Sequence, residues 1–156
     1  MKFSYIIIPI LVLLTAYIGT KYTKAGLKTW YSGLRKPSWT PTGKLISEIW
    51  IFIYLLITVS LILFWTVTQI GYWHYLLAVV TVINLYLNAT WNKIFFIEHN
   101  FSKAYKWMIY LNVTSVMMVV IMWTLYLLPA VLLIPYVVWV AIATKLTKEI
   151  WKLNKS

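Results

Sequence analysis

Cysteine and aspartate are both absent, and the 156-residue chain carries only three acidic side chains, Glu48, Glu98 and Glu149. Without cysteine there is no disulfide framework, no thiolate nucleophile and no Cys-ligated metal. The histidines are His74 and His99 alone, 25 residues apart. That is about 37 Å along an α-helix, so they cannot share a metal, and each reads as a solvated side chain near a membrane interface. General acid–base or nucleophilic catalysis therefore lacks its usual parts. Glu149, close to Lys145, Lys148 and Lys152, reads as a helix-end ion pair and not as a base. No metal and no cofactor is expected. Beyond one connection, a long polar stretch is missing too, which leaves no room for a soluble domain.

What is present is hydrocarbon and aromatic surface: 62% of residues are hydrophobic, with ten Trp and twelve Tyr. That is too apolar for a soluble domain of this length. A bilayer crossing needs about 20 apolar residues, and five such runs can be read, over 4–21, 46–69, 73–97, 104–127 and 129–151. The reading is an all-α integral membrane bundle of five transmembrane helices. It forms a single domain over 1–156, with a lid loop at 22–44. The short connections at 69–72 and 127–129 make consecutive helices run antiparallel. A cleaved signal peptide is the alternative for the first run, but its apolar core is long and no clear small-x-small cleavage site follows it.

The net charge of +11 has no basic run on a soluble surface to serve, so nucleic acid is not an expected partner. It reads as topology. Five crossings put Lys2 on one side and the other cations, from Lys21 to Lys155, on or near the other. By the positive-inside rule the first loop and C-terminus are cytoplasmic and the N-terminus outside, in a plasma or inner membrane.

Within this frame, residues 22–44 form the long polar connection, and such loops are often functional lids. Gly26, Gly33 and Gly43 permit turns there, while Pro37 and Pro41 bar a continuous helix. Trp30, Tyr31, Leu34 and Trp39 are costly to leave in water, so they are expected to fold back onto the bundle. In the third helix Asn84, Asn88 and Asn92 form one stripe, flanked by Trp91 and Phe95. An amide facing hydrocarbon without a partner costs roughly 2–7 kcal/mol, so the stripe should point inward, as structural glue, as a ligand contact or as both. Trp50 and Tyr54 share a face of the second helix just after start signals at 42–47. In the fifth, Pro129 begins the helix and Pro135 is expected to interrupt and bend it, with Trp139, Ala143 and Leu146 following on one face.

Three segments, WYSGLRKPSWTP at 30–41, NATWNKIFF at 88–96 and LLIPYVVWVAIATKL at 132–146, together resemble the tryptophan-rich sensory protein family, also called translocator proteins or peripheral benzodiazepine receptors. The likeness spans nearly the whole chain. It implies a five-helix bundle, often dimeric, with a pocket that the first connection closes. The implied ligands are porphyrins and other flat hydrophobic molecules, sterols among them. By position it implies a ligand site of Trp30, Tyr31, Leu34, Trp39, Pro41, Trp50, Asn84, Asn88, Trp91, Phe95, Trp139, Ala143 and Leu146.

Two departures stand out. The family's usual Pro-Pro is Pro41-Thr42 here, and Lys148 occupies the place of the Tyr in the sterol-recognition pattern of animal members. A regulatory or sensory tetrapyrrole receptor is the leading reading, with Arg35 or Lys36 attracting the propionates. Light- and oxygen-dependent porphyrin breakdown through Trp50 and Trp139 is the alternative the resemblance supplies. Translocation of a tetrapyrrole or sterol comes third, since neither an inverted repeat nor a deep ionisable residue is evident.

Overall fold

The computed structural model describes residues 3–155 and is helical throughout: α1 Ser4–Leu27, a 3-10 turn at Tyr31–Gly33, α2 Gly43–Val67, α3 Tyr72–Phe96, α4 Phe101–Trp123 and α5 Leu127–Leu153. Four of these, α1, α2, α4 and α5, are long and apolar enough to cross a membrane. The 25 residues of α3 give it the length, about 37 Å, but its asparagines, His74 and Lys93 dilute its hydropathy.

The helices close into a ring. α1 packs on α2 and α3, α3 on α4, α4 on α5, and α5 returns to α2. Although α2 and α3 are joined by a short turn, they are not one of these principal pairs; they meet through side chains reaching across the interior. The ends that gather on one side are visible in the contacts. Gly26 of α1 lies against Phe96 of α3, Tyr105 of α4 tilts against Trp151 of α5 at 5.9 Å, and Trp50 of α2 meets Trp139 of α5. Every described cation and all three glutamates lie toward this end.

Several boundaries differ from the sequence reading. The first helix continues to Leu27, six residues past its expected end at 21, so the connection is 28–42 and not 22–44. Packing accounts for the extension. Thr23 shares its hydroxyl proton between Asn92 Oδ1 and the Gly19 carbonyl, each at 2.9 Å, and a Cβ on Gly26 would sit 2.5 Å from the Phe96 carbonyl oxygen. Gly26 therefore serves close helix approach within α1 and makes no turn. In α5, Pro129 lies inside the first turn rather than at its start, and the helix runs unbroken through Pro135. The Thr42 start signal is realised: its hydroxyl accepts from the Leu45 amide at 3.3 Å, as an N-cap does. Asn100 caps α4 in the same way, bonding the Lys103 amide at 2.9 Å.

His74 is fully buried, which corrects the solvated reading. Its Nδ1 accepts from the Gly71 amide at 3.3 Å and its Nε2 lies 2.7 Å from the Thr68 hydroxyl. The Thr68 hydroxyl in turn donates to the Phe64 carbonyl. The amide bond to Nδ1 assigns the proton to Nε2, a neutral tautomer that staples the turn between α2 and α3.

Candidate functional site beneath the first connection

The stripe of asparagines points inward, Asn84 and Asn88 each 1% exposed. Both are held by protein groups. The Tyr136 hydroxyl donates to Asn84 Oδ1 at 2.7 Å and accepts from Asn88 Nδ2 at 3.2 Å. The Tyr54 hydroxyl donates to Asn88 Oδ1 at 3.0 Å, and Asn84 Nδ2 donates to the Thr114 hydroxyl at 2.9 Å. These bonds join α2, α3, α4 and α5. In apolar surroundings each is worth around 0.6 kcal/mol net, but breaking one strands its partner, and stranding costs more. The geometry therefore favours the glue role, with both carbonyl oxygens occupied.

The indoles differ. Trp50 and Trp139 meet edge-on, ring centroids 6.4 Å apart, and Trp50 leans on Tyr54 at 5.5 Å. Trp139 and Trp91 each bury an indole N–H that has no partner in the protein. A buried donor without an acceptor is disfavoured, so these two groups are donors that the protein itself leaves unsatisfied. Ala143 packs against the same interior cluster as Trp50, Trp91 and Trp139.

The connection forms a roof over a second cluster. Trp30, Tyr31 and Leu34 pack with Trp91, Phe95, Phe96 and Leu146, so Trp91 belongs to both groups and links roof to interior. Trp30 stacks on His99 at 4.3 Å and meets Phe95 edge-on at 5.1 Å. His99 adopts a positive φ of 51°, an uncommon left-handed conformation for a residue with a side chain, which lets the turn between α3 and α4 place the ring beneath Trp30. Burial raises the Tyr31 phenol above its ordinary pKa by penalising the phenolate.

Trp39 and Pro41 do not join this roof cluster. Trp39 is 38% exposed, lies on the outer flank of α5, donates its indole N–H to Glu149 Oε2 at 2.8 Å, and has Lys145 Nζ 5.3 Å from its ring centroid. Glu149 is thus an anchor for the connection, which corrects its reading as an ion-pair partner of the neighbouring lysines. Lys36 spends two donors on the Tyr31 and Leu34 carbonyls, at 2.8 and 2.9 Å, while Arg35 stays exposed at the rim.

Sequence reasoning missed Asn154. Its amide clamps the connection by accepting from the Arg35 amide at 3.0 Å and donating to the Arg35 carbonyl at 2.8 Å. The partners are 119 positions apart, and no local pattern signals such a pair. Tyr136 was missed as a hydrogen-bonding hub, although its place after Pro135 in the Pro-Tyr-x-x-Trp segment was in view.

The family model described as TspO/MBR family matches residues 6–152. The chain belongs to the TspO/MBR family. It is 29% identical over 144 residues to the tryptophan-rich protein TspO of Archaeoglobus fulgidus, covering 92% of each chain. With the tryptophan-rich protein TspO of Bacillus cereus it shares 30% identity over 127 residues, 81% of this chain and 82% of that one. With the human translocator protein it shares 27% over 146 residues, 90% and 84% of the two chains. As a TspO/MBR protein with four helices of spanning length and hydropathy, it is an integral membrane protein.

Proposed function

We propose that this TspO/MBR protein binds porphyrins and similar flat hydrophobic tetrapyrroles between its helices beneath the first connection, in a regulatory or sensory role. The observation that carries the reading is the pair of buried, unpartnered indole N–H groups on Trp91 and Trp139, with the Trp139 ring edge-on to Trp50. A porphyrin supplies a broad π-face for the indoles and acceptor atoms for their N–H groups. Trp50, Trp91, Phe95 and Trp139 form the walls, Ala143 and Leu146 the face of α5, and Trp30, Tyr31 and Leu34 the roof. Pro41 and Trp39 shape and anchor the connection from outside. Asn84 and Asn88 hold the wall helices in register, and Arg35 at the rim attracts the propionates.

In this reading α3 is the fifth crossing, its polar side chains turned inward. The cationic end faces the cytoplasm of a plasma or inner membrane. Protoporphyrin quenching of tryptophan fluorescence in detergent tests the site. Trp139→Phe and Trp91→Phe should each weaken affinity about five- to thirtyfold, the weight of a lost hydrogen bond and lost ring contact. Unchanged affinity in both, with melting temperature preserved, overturns the assignment.

The edge-on contact of Trp50 with Trp139 at 6.4 Å favours a second reading, in which an indole exchanges an electron with photoexcited porphyrin and dissolved oxygen is the oxidant. Illumination in air with protoporphyrin should then bleach the pigment in a protein-dependent way. Trp50→Phe or Trp139→Phe should abolish the loss.

A further inference from the structure

At the end of the bundle away from the cations, the fold leaves a cavity of about 290 Å³, walled by Ile8 and Val12 of α1, Leu61 and Trp65 of α2, and Thr81 and Leu85 of α3. Its origin is topological. Because α2 and α3 share a turn but are not a principal packing pair, the N-terminal half of α1 closes the gap between them, and only in part. Phe3 and Ile70 stand at its mouth, both exposed. Thr81 lies nine residues into α3, about 14 Å along the axis, so the space is elongated and runs inward from one membrane face.

The chemistry of the walls is restrictive. No lining residue is charged, and the described cations are all at the far end of the bundle, so among the described residues an ionised ligand finds no counterion. Water is a poor occupant, because each buried water needs two to four polar partners and these walls are almost wholly carbon. One group breaks the pattern. The other buried or half-buried helical threonines, Thr15, Thr58 and Thr147 among them, turn their hydroxyls back onto the carbonyl four residues earlier. Thr81 is buried and does not, and its Oγ1 has no partner. Burying a hydroxyl unpaired is disfavoured when a local acceptor is one rotamer away.

We propose that this cavity is a second binding site, for an uncharged, elongated lipophile carrying one hydrogen-bonding oxygen. It enters from the lipid past Phe3 and Ile70, lays its hydrocarbon against Ile8, Val12, Leu61 and Leu85, and brings its oxygen to Thr81. The site shares no lining residue with the proposed indole site and does not depend on it.

A photoactivatable fatty alcohol, reacted with the full-length protein in phosphatidylcholine nanodiscs and mapped by peptide mass spectrometry, tests the assignment. Adducts should concentrate on residues 7–12 and 78–85. Excess 1-dodecanol should displace the probe, and dodecane and dodecyl phosphate should not. Displacement by a monoacylglycerol as well as by the alcohol indicates a membrane lipid as the source, and displacement by the alcohol alone indicates a free lipophile. Thr81→Val, which keeps the shape and removes the hydroxyl, should weaken displacement by 1-dodecanol about threefold, the weight of one hydrogen bond in a membrane interior. Ala78→Phe should fill the space and abolish the adducts, with protoporphyrin quenching retained as evidence of an intact bundle. Adducts spread evenly over the lipid-facing helix surfaces, dodecane competing as well as the alcohol, or labelling indifferent to both substitutions would overturn the proposal.

Discussion

Asn154→Ala isolates the clamp between the connection and α5. The substitution deletes one bond from the Arg35 amide and one to the Arg35 carbonyl, at 3.0 and 2.8 Å, together with a bond to the Ile150 carbonyl of its own helix, and leaves the roof contacts of Trp30 and Tyr31 in place. Protein hydrogen bonds contribute about 0.5–1.5 kcal/mol each. The two to Arg35 are exposed, so water replaces them readily and their sum falls near the low end, about 1–2 kcal/mol. That corresponds to a five- to thirtyfold rise in the population of locally opened connection. The readout is amide hydrogen exchange of the peptide spanning Gly33 to Trp39 in detergent or nanodiscs, which should accelerate by that factor while the exchange of α3 and α4 stays as in the parent. Asn154→Asp keeps the acceptor for the Arg35 amide and removes the donor, so it should fall between the two. Exchange identical to the parent in both variants would refute the clamp. Acceleration throughout the chain would show that the residue acts on the whole fold instead.

Gly26→Ala should lower the melting temperature by several degrees. Its methyl would approach the Phe96 carbonyl oxygen to 2.5 Å, and relieving such overpacking by parting α1 from α3 costs about 1–3 kcal/mol. Gly19→Ala should cost less, since its neighbour at 3.0 Å is the movable Asn92 side chain. Tyr136→Phe should destabilise by about 1–3 kcal/mol in reversible denaturation, because it strands Asn84 Oδ1 and removes the acceptor of Asn88 Nδ2. For Tyr31 the raised folded-state pKa means that the docked roof favours the neutral phenol. Its stabilising contribution is therefore whole below the ordinary tyrosine value of about 10 and declines as pH rises through and above it. Exchange of the roof peptide should quicken over that alkaline range in the parent and lose this dependence in Tyr31→Phe.

How much of this could be read from the chain varies by element. Hydropathy and length placed the helices to within a few residues, because a membrane span must satisfy its own backbone and only a helix does so locally. The inward turn of Asn84 and Asn88 was legible for the same reason, since an amide cannot face hydrocarbon unpaired. The end of α1 was not. Lys21, Tyr22 and Lys24 look like loop residues until Asn92 and Phe96 of a distant helix are set against Thr23 and Gly26. Which polar groups remain unpaired was equally hidden. The asparagines look like the recognition groups in sequence, yet Tyr54, Thr114 and Tyr136 saturate their carbonyls and most of their donors, and the unpaired donors belong to Trp91, Trp139 and Thr81.

The sequence by itself determined a helical membrane bundle, the end at which its charge gathers, and membership of a family through three aromatic segments. Those follow from hydropathy, helix periodicity and residue identity, which are local properties. Tertiary structure alone decided that the connection is clamped by Asn154 and Glu149, that His74 is sealed as a neutral staple, and that α2 and α3 part to leave a cavity beside Thr81. Each depends on which side chains from different helices meet, and hydrogen bonds between groups more than a hundred positions apart leave no periodic trace in the chain.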